Sequence, residues 1–193
     1  MGIRELRRTI EKERKYIVRR FIKQQRRNLL AKPGVNEMII VLDNLSPLFN
    51  IGKIFRSAEA FGVQEVHVIA TEFFDPAPAK GSFKYVPAKF FVDFDESYHA
   101  LIHQGFSLFT LDSSGGSSLY SLAMPRKSAF IFGNEKEGLS VNLEKFNQIK
   151  PVHIPQYGQV ESLNVSNVAA IVMYEYVRQH GAVSSGKNLQ VSP

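Results

Sequence analysis

Three separated segments of the chain combine glycine and asparagine with a few side chains able to bind a ligand. They span residues 44–61, 131–140 and 154–166. Each follows a short apolar run typical of a buried strand, and each supplies glycine or asparagine where the backbone must turn sharply or approach a ligand. In an α/β sheet such loops gather at the carboxyl ends of the strands, where ligands bind. The sequence therefore predicts one shared pocket.

Five polar side chains in these segments are candidates for catalysis or ligand orientation. Arg56 can bind a phosphate or stabilise a developing oxyanion, because its guanidinium keeps its proton far above neutral pH. The alternative for Arg56 is a structural ion pair with Glu135. Asn50 can bond a ligand or cap the helix that follows, and Ser162 is a natural N-cap of the last helix. Asn164 is the best polar candidate for orienting a ligand.

Several kinds of site are disfavoured by what the sequence lacks. There is no GxGxxG fingerprint, and no Gly-Lys-Ser/Thr follows the GNEKEG run, so hydride transfer and nucleotide hydrolysis lose their support. With no cysteine, disulfides and Cys-built zinc sites are excluded. His99 and His103 have the spacing of a metal pair, but the glutamate of an HExxH motif is missing, so no metal is expected.

Hydrophobic periodicity predicts alternating strands and helices around these segments. Strands are predicted at residues 37–42, 65–70, 106–111, 128–132 and 151–154, and helices at residues 50–61, 97–104 and 162–179. Residues 71–93 are predicted as a longer excursion, residues 113–118 as a flexible loop, and the tail after residue 180 as disordered. The alternation indicates an α/β fold with a mostly parallel sheet and helices on both faces.

Positive charge is concentrated at the amino terminus. Residues 1–32 hold twelve Lys/Arg and three Glu, whereas the whole chain has a formal net charge of +6. This bias predicts a polyanion partner such as RNA or DNA. The alternative is a solvated helix or disordered arm whose charge serves only solubility. Apolar residues at roughly helical spacing indicate a helix docked by one stripe: Ile3, Leu6, Ile10, Ile17 and Phe21.

The candidate nucleic-acid contacts are basic residues of this amino-terminal segment and of the predicted pocket rim. They are Arg7, Arg8, Arg14, Arg19, Arg20, Lys53 and Arg56. No run approaches the roughly 20 apolar residues of a membrane span. The basic amino terminus has no apolar signal core. We therefore expect a cytoplasmic protein without a membrane partner.

The three segments together carry a specific resemblance. Residues 44–62, with the runs NIG, RSA and FG, resemble motif 1 of the SpoU/TrmH branch of the SPOUT RNA methyltransferases. Residues 132–140 (FGNEKEGLS) are similar to motif 2. Residues 154–175, with the runs IP, SLNVS and YE and with Gly158, are similar to motif 3. The order and spacing of the motifs agree over residues 37–178.

This resemblance implies an enzyme that transfers a methyl group from S-adenosyl-L-methionine (AdoMet) to a ribose 2′-hydroxyl of RNA, with tRNA favoured over rRNA. It also implies a SPOUT fold with a C-terminal trefoil knot, and a homodimer with its site near the subunit interface. The catalytic residues would be Arg56, Asn50, Glu135, Ser162 and Asn164. The residues binding AdoMet would be Thr110, Leu111, Gly133, Asn134, Ile154, Gln156, Gly158, Ser162 and Leu163.

The expected organisation has three parts. Residues 1–34 form a basic helical extension, residues 35–180 the methyltransferase domain, and residues 181–193 a tail. Three alternatives stay open: an enzyme acting on rRNA, an RNA-binding paralogue that keeps the fold without the chemistry, and a methyltransferase acting on a base nitrogen. Lys53 departs from the small residue common in motif 1, which adds charge beside the cleft.

Overall fold

The computed structural model describes residues 2–112, 115–160 and 162–181. Within these ranges four α-helices and seven strands alternate, with three short 3-10 helices between them. In chain order they are α1 (Ile3–Asn28), β1 (Asn36–Asp43), α2 (Phe49–Ala60), β2 (Val63–Ile69), the 3-10 helices Ala77–Ala79 and Ser82–Lys84, β3 (Ala88–Phe91), α3 (Phe94–His103), β4 (Ser107–Leu111), β5 (Ser117–Ser118), β6 (Ser128–Phe132), the 3-10 helix Leu143–Lys145, β7 (Ile149–His153) and α4 (Val165–His180).

The strands form one sheet in the order β3-β2-β1-β6-β4-β7-β5. Every neighbouring pair in this sheet is parallel. The α/β fold with a parallel sheet, predicted from the alternation of elements, is confirmed. Because the strands run in one direction, their last residues lie along one border of the sheet, which we call the carboxyl edge.

The sheet is covered on both faces. In β1, Ile40 and Leu42 face one apolar cluster, whereas Ile39 and Val41 face the other, as the alternation of side chains along a strand requires. Helices α2 and α4 contribute to the first cluster, and α3 contributes to the second. All five residues of β6 are buried, as expected for a central strand of a parallel sheet.

Several element boundaries differ from the predictions. Residues 71–93 are not a plain excursion, because they contain two 3-10 helices and β3. This strand is short, half-buried and preceded by Pro87, so it lacks the long apolar run that marks a central strand. Residues 117 and 118 form β5 inside the predicted flexible loop; residues 113 and 114 of that loop, and the predicted tail from residue 182, lie outside the described residues.

Helix α1 is attached to the domain through its carboxyl-terminal half. Phe21 is buried against Phe74, Phe83 and Phe90 at ring distances of 5.2–5.8 Å. The rest of the predicted apolar stripe is exposed toward the amino terminus: Ile3 is 74% exposed. The expected docking stripe is therefore found only in the second half of the helix.

Asn28 fixes the end of α1. Its Nδ2 donates to the carbonyls of Phe83 and Val86, the latter at 2.6 Å, and its Oδ1 accepts from the amide of Ala88 at 3.0 Å. Asn28 is only 5% exposed. Its amide group therefore satisfies three backbone groups between Phe83 and Ala88, the segment that leads into β3, and each would be costly to leave unpaired in a buried place. No helix in the described ranges is long and apolar enough to cross a membrane.

Replacing Asn28 with alanine should lower the free energy of unfolding by about 2–3 kcal/mol, because three buried hydrogen bonds are lost together. The matched control is Leu29→Ala, since Leu29 is 80% exposed and should change stability by no more than about 0.5 kcal/mol. Urea unfolding followed by circular dichroism measures both. Equal stability of the two variants would contradict the anchoring role of Asn28.

Candidate functional site

Two of the three segments predicted to meet, residues 131–140 and 154–166, line one cavity at the carboxyl edge together with the end of β4. No residue of segment 44–61 lines it, and that segment reaches the site through the hydrogen bond from Asn50 to Glu135. The volume of the cavity is about 960 Å³. Eight of the nine predicted AdoMet-binding residues line it: Thr110, Leu111, Gly133, Asn134, Ile154, Gln156, Ser162 and Leu163. Gly158 does not line the cavity and lies in an exposed part of the third segment. The sheet thus brings most of the predicted pocket residues together.

The second segment forms a tight loop at the end of β6. The amide of Asn134 donates to the carbonyl of Gly138 at 2.7 Å, and the amide of Gly138 donates back at 2.9 Å. A Cβ on Gly133 would lie 2.4 Å from that same carbonyl oxygen, so no larger residue fits there. The Asn134 side chain donates to the carbonyl of Asn44 at 3.0 Å, which ties this loop to the first segment.

A second tie to this loop, from the end of β1, was not predicted from the sequence. Asp43, the last residue of β1, is fully buried. Its carboxylate accepts from the amide of Ser140 at 2.6 Å and from the hydroxyl of Ser140 at 2.7 Å. These charge-assisted bonds fix the far end of the loop that begins at Gly133. The available signal was an aspartate directly after an apolar strand, at the edge where the pocket was expected.

The side chains of Asn50, Glu135 and Asn164 form one hydrogen-bond network, with one member from each segment. Nδ2 of Asn50 donates to Oε1 of Glu135 at 2.7 Å. Nδ2 of Asn164 lies 3.4 Å from the same oxygen and 3.4 Å from Oδ1 of Asn50. Asn50 is fully buried, whereas Glu135 and Asn164 face solvent at the cavity. A ligand at this end of the cavity meets a carboxylate held by two amides.

The predicted cap at Ser162 is wrong, and the capping alternative for Asn50 is not observed. Helix α2 begins at Phe49, so Asn50 lies inside it and bonds Glu135 instead of a helix amide. Helix α4 begins at Val165, and Asn164 caps it by accepting from the amide of Ser166 at 3.0 Å. Ser162 precedes this helix by three residues because residues 162–164 continue the irregular loop, and Ser162 lines the cavity.

Arg56 does not line this cavity. It lies on the exposed surface of α2, six residues after Asn50, which places it about 9 Å farther along the helix axis. Within the described residues Arg56 forms no ion pair with Glu135, so the structural alternative proposed for it is not observed. Lys53 is exposed on the same helix, with its Nζ 4.7 Å from the ring centre of Phe49.

The candidate RNA contacts of α1 fall into two groups. Arg14 and Arg20 face the domain: Arg14 lies over the ring of Phe73, and Arg20 forms an ion pair of 3.2 Å with Asp75. Arg7, Arg8 and Arg19 are exposed, and the structure gives them no partner among the described residues. Two of the five predicted arginines therefore serve at least partly to dock the helix, a role that charge alone did not disclose.

A Ser-His-Glu arrangement elsewhere in the chain has a structural role. Nδ1 of His67 lies 2.7 Å from Oγ of Ser97, and Nε2 of His67 lies 2.9 Å from Oε1 of Glu65. Burial raises the pKa of Glu65, but hydrogen bonds from His67 and Lys89 outweigh burial and leave this pKa below 4.5. Because Ser97 and His67 are fully buried, no substrate reaches them, and the arrangement ties α3 to β2.

The chemistry available in the cavity is positioning rather than strong acid-base catalysis. Its lining includes the apolar side chains of Leu111, Phe132, Ile154 and Leu163, and it also includes the carboxylate of Glu135, which is held by its amide partners. No histidine is among the described lining residues. In the described part of the chain no cluster of three or more His, Cys, Asp or Glu could hold a metal ion.

The known proteins that this chain resembles are RNA methyltransferases of one family. The model of the SpoU rRNA Methylase family matches residues 37–174. The chain is 30% identical over 162 residues to the 23S rRNA (guanosine-2′-O-)-methyltransferase RlmB of Xylella fastidiosa, covering 81% of this chain and 65% of that protein. It is 29% identical over 147 residues to the tRNA (guanosine(18)-2′-O)-methyltransferase of Thermus thermophilus, covering 74% of this chain and 75% of that enzyme.

Solved structures resemble the same domain. The SpoU methyltransferase AviRb from Streptomyces viridochromogenes, in complex with AdoMet, superposes with a TM-score of 0.65 at 29% identity, over 76% of this chain and 59% of AviRb. The A. aeolicus TrmH/SpoU tRNA modifying enzyme has a TM-score of 0.66 at 24% identity, over 81% of this chain and 82% of that enzyme; at this identity the likeness concerns the fold. This chain thus spans slightly under two thirds of RlmB and AviRb.

The double role of Asn164 can be tested by two substitutions. Asn164→Ala removes the helix cap and should lower the free energy of unfolding by about 1 kcal/mol at every pH. Asn164→Asp keeps the capping oxygen but places a second carboxylate beside Glu135. Its destabilisation should therefore be present at pH 7 and shrink toward pH 4, as the carboxylates become protonated.

Thermal unfolding of both variants between pH 4 and pH 8 measures this difference. A pH-independent destabilisation of the Asn164→Asp variant would contradict the placement of Asn164 beside Glu135.

Proposed function

Because this chain belongs to the SpoU rRNA Methylase family, we propose that it is an AdoMet-dependent methyltransferase that modifies a ribose 2′-hydroxyl in structured RNA. The observation that carries this proposal is the cavity at the carboxyl edge, which joins an apolar slot to the network of Asn50, Glu135 and Asn164. The named relatives act on 23S rRNA and on tRNA. Of the two substrates we favour tRNA, as expected for a compact chain with a basic amino-terminal helix.

The cavity fits AdoMet in size and lining. Its volume of about 960 Å³ lies at the upper end of the range for small-molecule sites. Leu111, Ile154 and Leu163 supply an apolar slot for an adenine, and the backbone of the loop at Gly133 supplies polar groups for its edge. The lack of room for a Cβ at Gly133 keeps the backbone of Gly133 packed against that of Gly138 within this loop. When bound, AdoMet supplies an electrophilic methyl group on a positively charged sulfonium.

The protein's own task is to hold the ribose in line and to favour charge on its hydroxyl oxygen. Glu135 is positioned to accept a hydrogen bond from a ribose hydroxyl, since its orientation is fixed by Asn50 and Asn164. Ser162 lines the same cavity and can donate or accept at the ribose. We assign to Arg56 the stabilisation of the alkoxide and of the adjoining phosphate, because guanidinium stays protonated and makes a poor base.

Arg56 does not line the cavity of its own chain, and this position leads to a proposal about how two chains associate. Arg56 is exposed and has no described acidic partner, so it is free to serve a second copy of the chain. We propose a homodimer in which Arg56 of one subunit completes the cavity of the other. An exposed arginine without an ion pair gains little for folding, which favours a role in binding or catalysis.

The rest of the organisation is proposed on the same basis. Residues 35–180 would form the methyltransferase domain with the C-terminal trefoil knot of the SPOUT fold, preceded by the basic segment 1–34 as an RNA contact and followed by a short tail. An enzyme that modifies tRNA or rRNA would work in the cytoplasm. The other candidate function, an RNA-binding paralogue without activity, is disfavoured by the intact network around Glu135.

The proposed activity predicts transfer of labelled methyl from AdoMet to RNA stripped of modifications. Total tRNA and ribosomal RNA are tested separately, and the products are digested and mapped by mass spectrometry. We expect a 2′-O-methylated nucleotide from the tRNA pool. A methylated base would place the chemistry in another SPOUT branch, and no transfer despite AdoMet binding would favour the inactive paralogue.

The role of Arg56 predicts a separation of binding from catalysis. Arg56→Ala should lower kcat by at least about 100-fold while leaving the Kd for AdoMet near that of the wild type, since Arg56 does not line the cavity. Lys53→Ala is the neighbouring control on the same exposed helix surface and should retain far more activity. A large loss of AdoMet affinity in Arg56→Ala would contradict the assignment.

The dimeric arrangement predicts complementation between two inactive chains. Leu163→Arg should block the AdoMet cavity, and Arg56→Ala should remove the catalytic cation. A heterodimer of the two, purified through two different tags, has one complete site if Arg56 acts across the interface, so about half of the wild-type activity should return. An inactive heterodimer would mean that Arg56 acts in its own subunit.

A further inference from the structure

The solvent side of α1 carries a single row of cations. Seven of them follow one another at intervals of three or four residues, which places them on one face of the helix. All seven are exposed: Arg4, Arg8, Lys12, Lys15, Arg19, Lys23 and Arg26. We call this set the cation row. It extends over 23 residues of helix, and its ends are about 33 Å apart along the helix axis.

The cation row lies opposite the docked face of the helix. Each residue of an α-helix is turned by about 100° from the one before. Residues two positions apart in the sequence therefore point about 160° away from each other around the helix axis. Arg19 and Lys23 each stand two residues from buried Phe21, and Arg26 stands two residues from buried Asn28. The row therefore points away from the domain, whereas Arg14 and Arg20 are held against it.

Little negative charge compensates the row. Lys15 pairs with Glu11 at 2.7 Å, but the other six members have no acidic partner among the described residues. The row is held in place because Phe21 and Asn28, on the opposite face of α1, fix the helix to the domain. A polyanion with regularly spaced phosphates is the partner that matches it.

The row is also far from the cavity. Helix α1 is attached at β3, the edge strand, whereas the cavity is built on β6, β4 and β7. In the strand order β3 is three places from β6 and four from β4, or about 14–19 Å at the usual strand spacing. The row lies farther out, on the outer side of the helix. An RNA that contacts both must extend well beyond the methylated nucleotide.

From these observations we propose that the cation row binds the phosphate backbone of a remote segment of the substrate RNA, one that lies on the outer side of α1 while the target nucleotide is in the cavity. This proposal rests on the proposed function. It assigns the RNA contact to the row of seven and not to Arg14 and Arg20, which dock the helix. It makes recognition depend on the size and shape of the RNA, because phosphate contacts carry no sequence information.

The test compares two triple variants with the same change in net charge. The row variant carries Arg8→Gln, Lys12→Gln and Lys23→Gln, which together remove three members of the row. Glutamine is chosen because it preserves helix propensity. The control carries Arg126→Gln, Lys145→Gln and Lys150→Gln. These three cations are exposed and lie outside α1 and outside the cavity. The probe is total tRNA stripped of modifications. Its Kd is measured by fluorescence anisotropy over a series of salt concentrations, and circular dichroism verifies the fold.

The row variant should bind tRNA about tenfold more weakly, and the slope of log K against log salt should fall by about 2 to 3, because three phosphate contacts no longer release counterions. The control should keep a slope near that of the wild type. Both variants should keep the wild-type Kd for AdoMet. Equal losses in both variants, or no loss in the row variant, would overturn the proposal.

Additional measurements distinguish a failure of the cation-row proposal from a failure of the proposed methyltransferase activity. They also distinguish RNA from a membrane surface as the partner of the row. Loss of tRNA binding in the row variant, in a protein that transfers no methyl group, would support the row and refute the proposed activity. Methyl transfer by a row variant with unchanged KM for tRNA would refute the row and leave the activity standing. Tighter binding of the wild type to vesicles containing phosphatidylserine than to tRNA would assign the row to a membrane surface and overturn the proposal.

Discussion

The carboxylate of Glu135 is the point at which the three segments of the site meet. It accepts from Asn50, 85 residues earlier in the chain, and it lies within hydrogen-bond distance of Asn164, 29 residues later. Asn50 is fixed because its side chain is buried in α2, and Asn164 is fixed because it also caps α4. One carboxylate therefore joins two helices to the loop that lines the cavity. The parallel sheet makes this possible by ending β1 and β6 at the same edge.

The same interaction fits the proposed chemistry, which needs no strong base. The amides of Asn50 and Asn164 beside Glu135 have fixed partners, so little reorganisation would be needed when a ribose binds. Asp43 contributes from behind the cavity, because its two bonds to Ser140 hold the loop that begins at Gly133. Arg56, the cation that we propose for the developing alkoxide, lies outside the cavity of its own chain. This location is the reason that our proposal takes the charge from a second subunit.

The sequence predicted the parts of the fold whose residues are buried locally. Strands β1 and β6 are apolar runs that fill the centre of the sheet, and their positions were predicted within one residue. Strand β3 was missed because an edge strand of four half-buried residues has no such run. The cap of α4 was assigned to Ser162 instead of Asn164, since both residue types favour caps and nothing local shows where the loop ends.

The candidate site likewise contains features that the sequence predicted and features that only the folded structure shows. Glycine and asparagine at strand ends indicated the cavity, and eight of nine predicted residues line it. The bond between Asp43 and Ser140 joins residues 97 positions apart, so only the sheet order could disclose it. The outward position of Arg56 depends on the rotation of α2, which is set by packing of Ile51, Ile54 and Phe55 in the core. Side-chain direction on a helix follows from such packing, not from the motif alone.

The most direct test of the central claim is a calorimetric titration with AdoMet. The wild type should bind one AdoMet per chain. Leu163→Arg, which places a long charged side chain at the cavity wall, should abolish binding, and Leu29→Arg, at a site 80% exposed on the far end of α1, should bind as the wild type does. Wild-type affinity in the Leu163→Arg variant would contradict the assignment of this cavity to AdoMet.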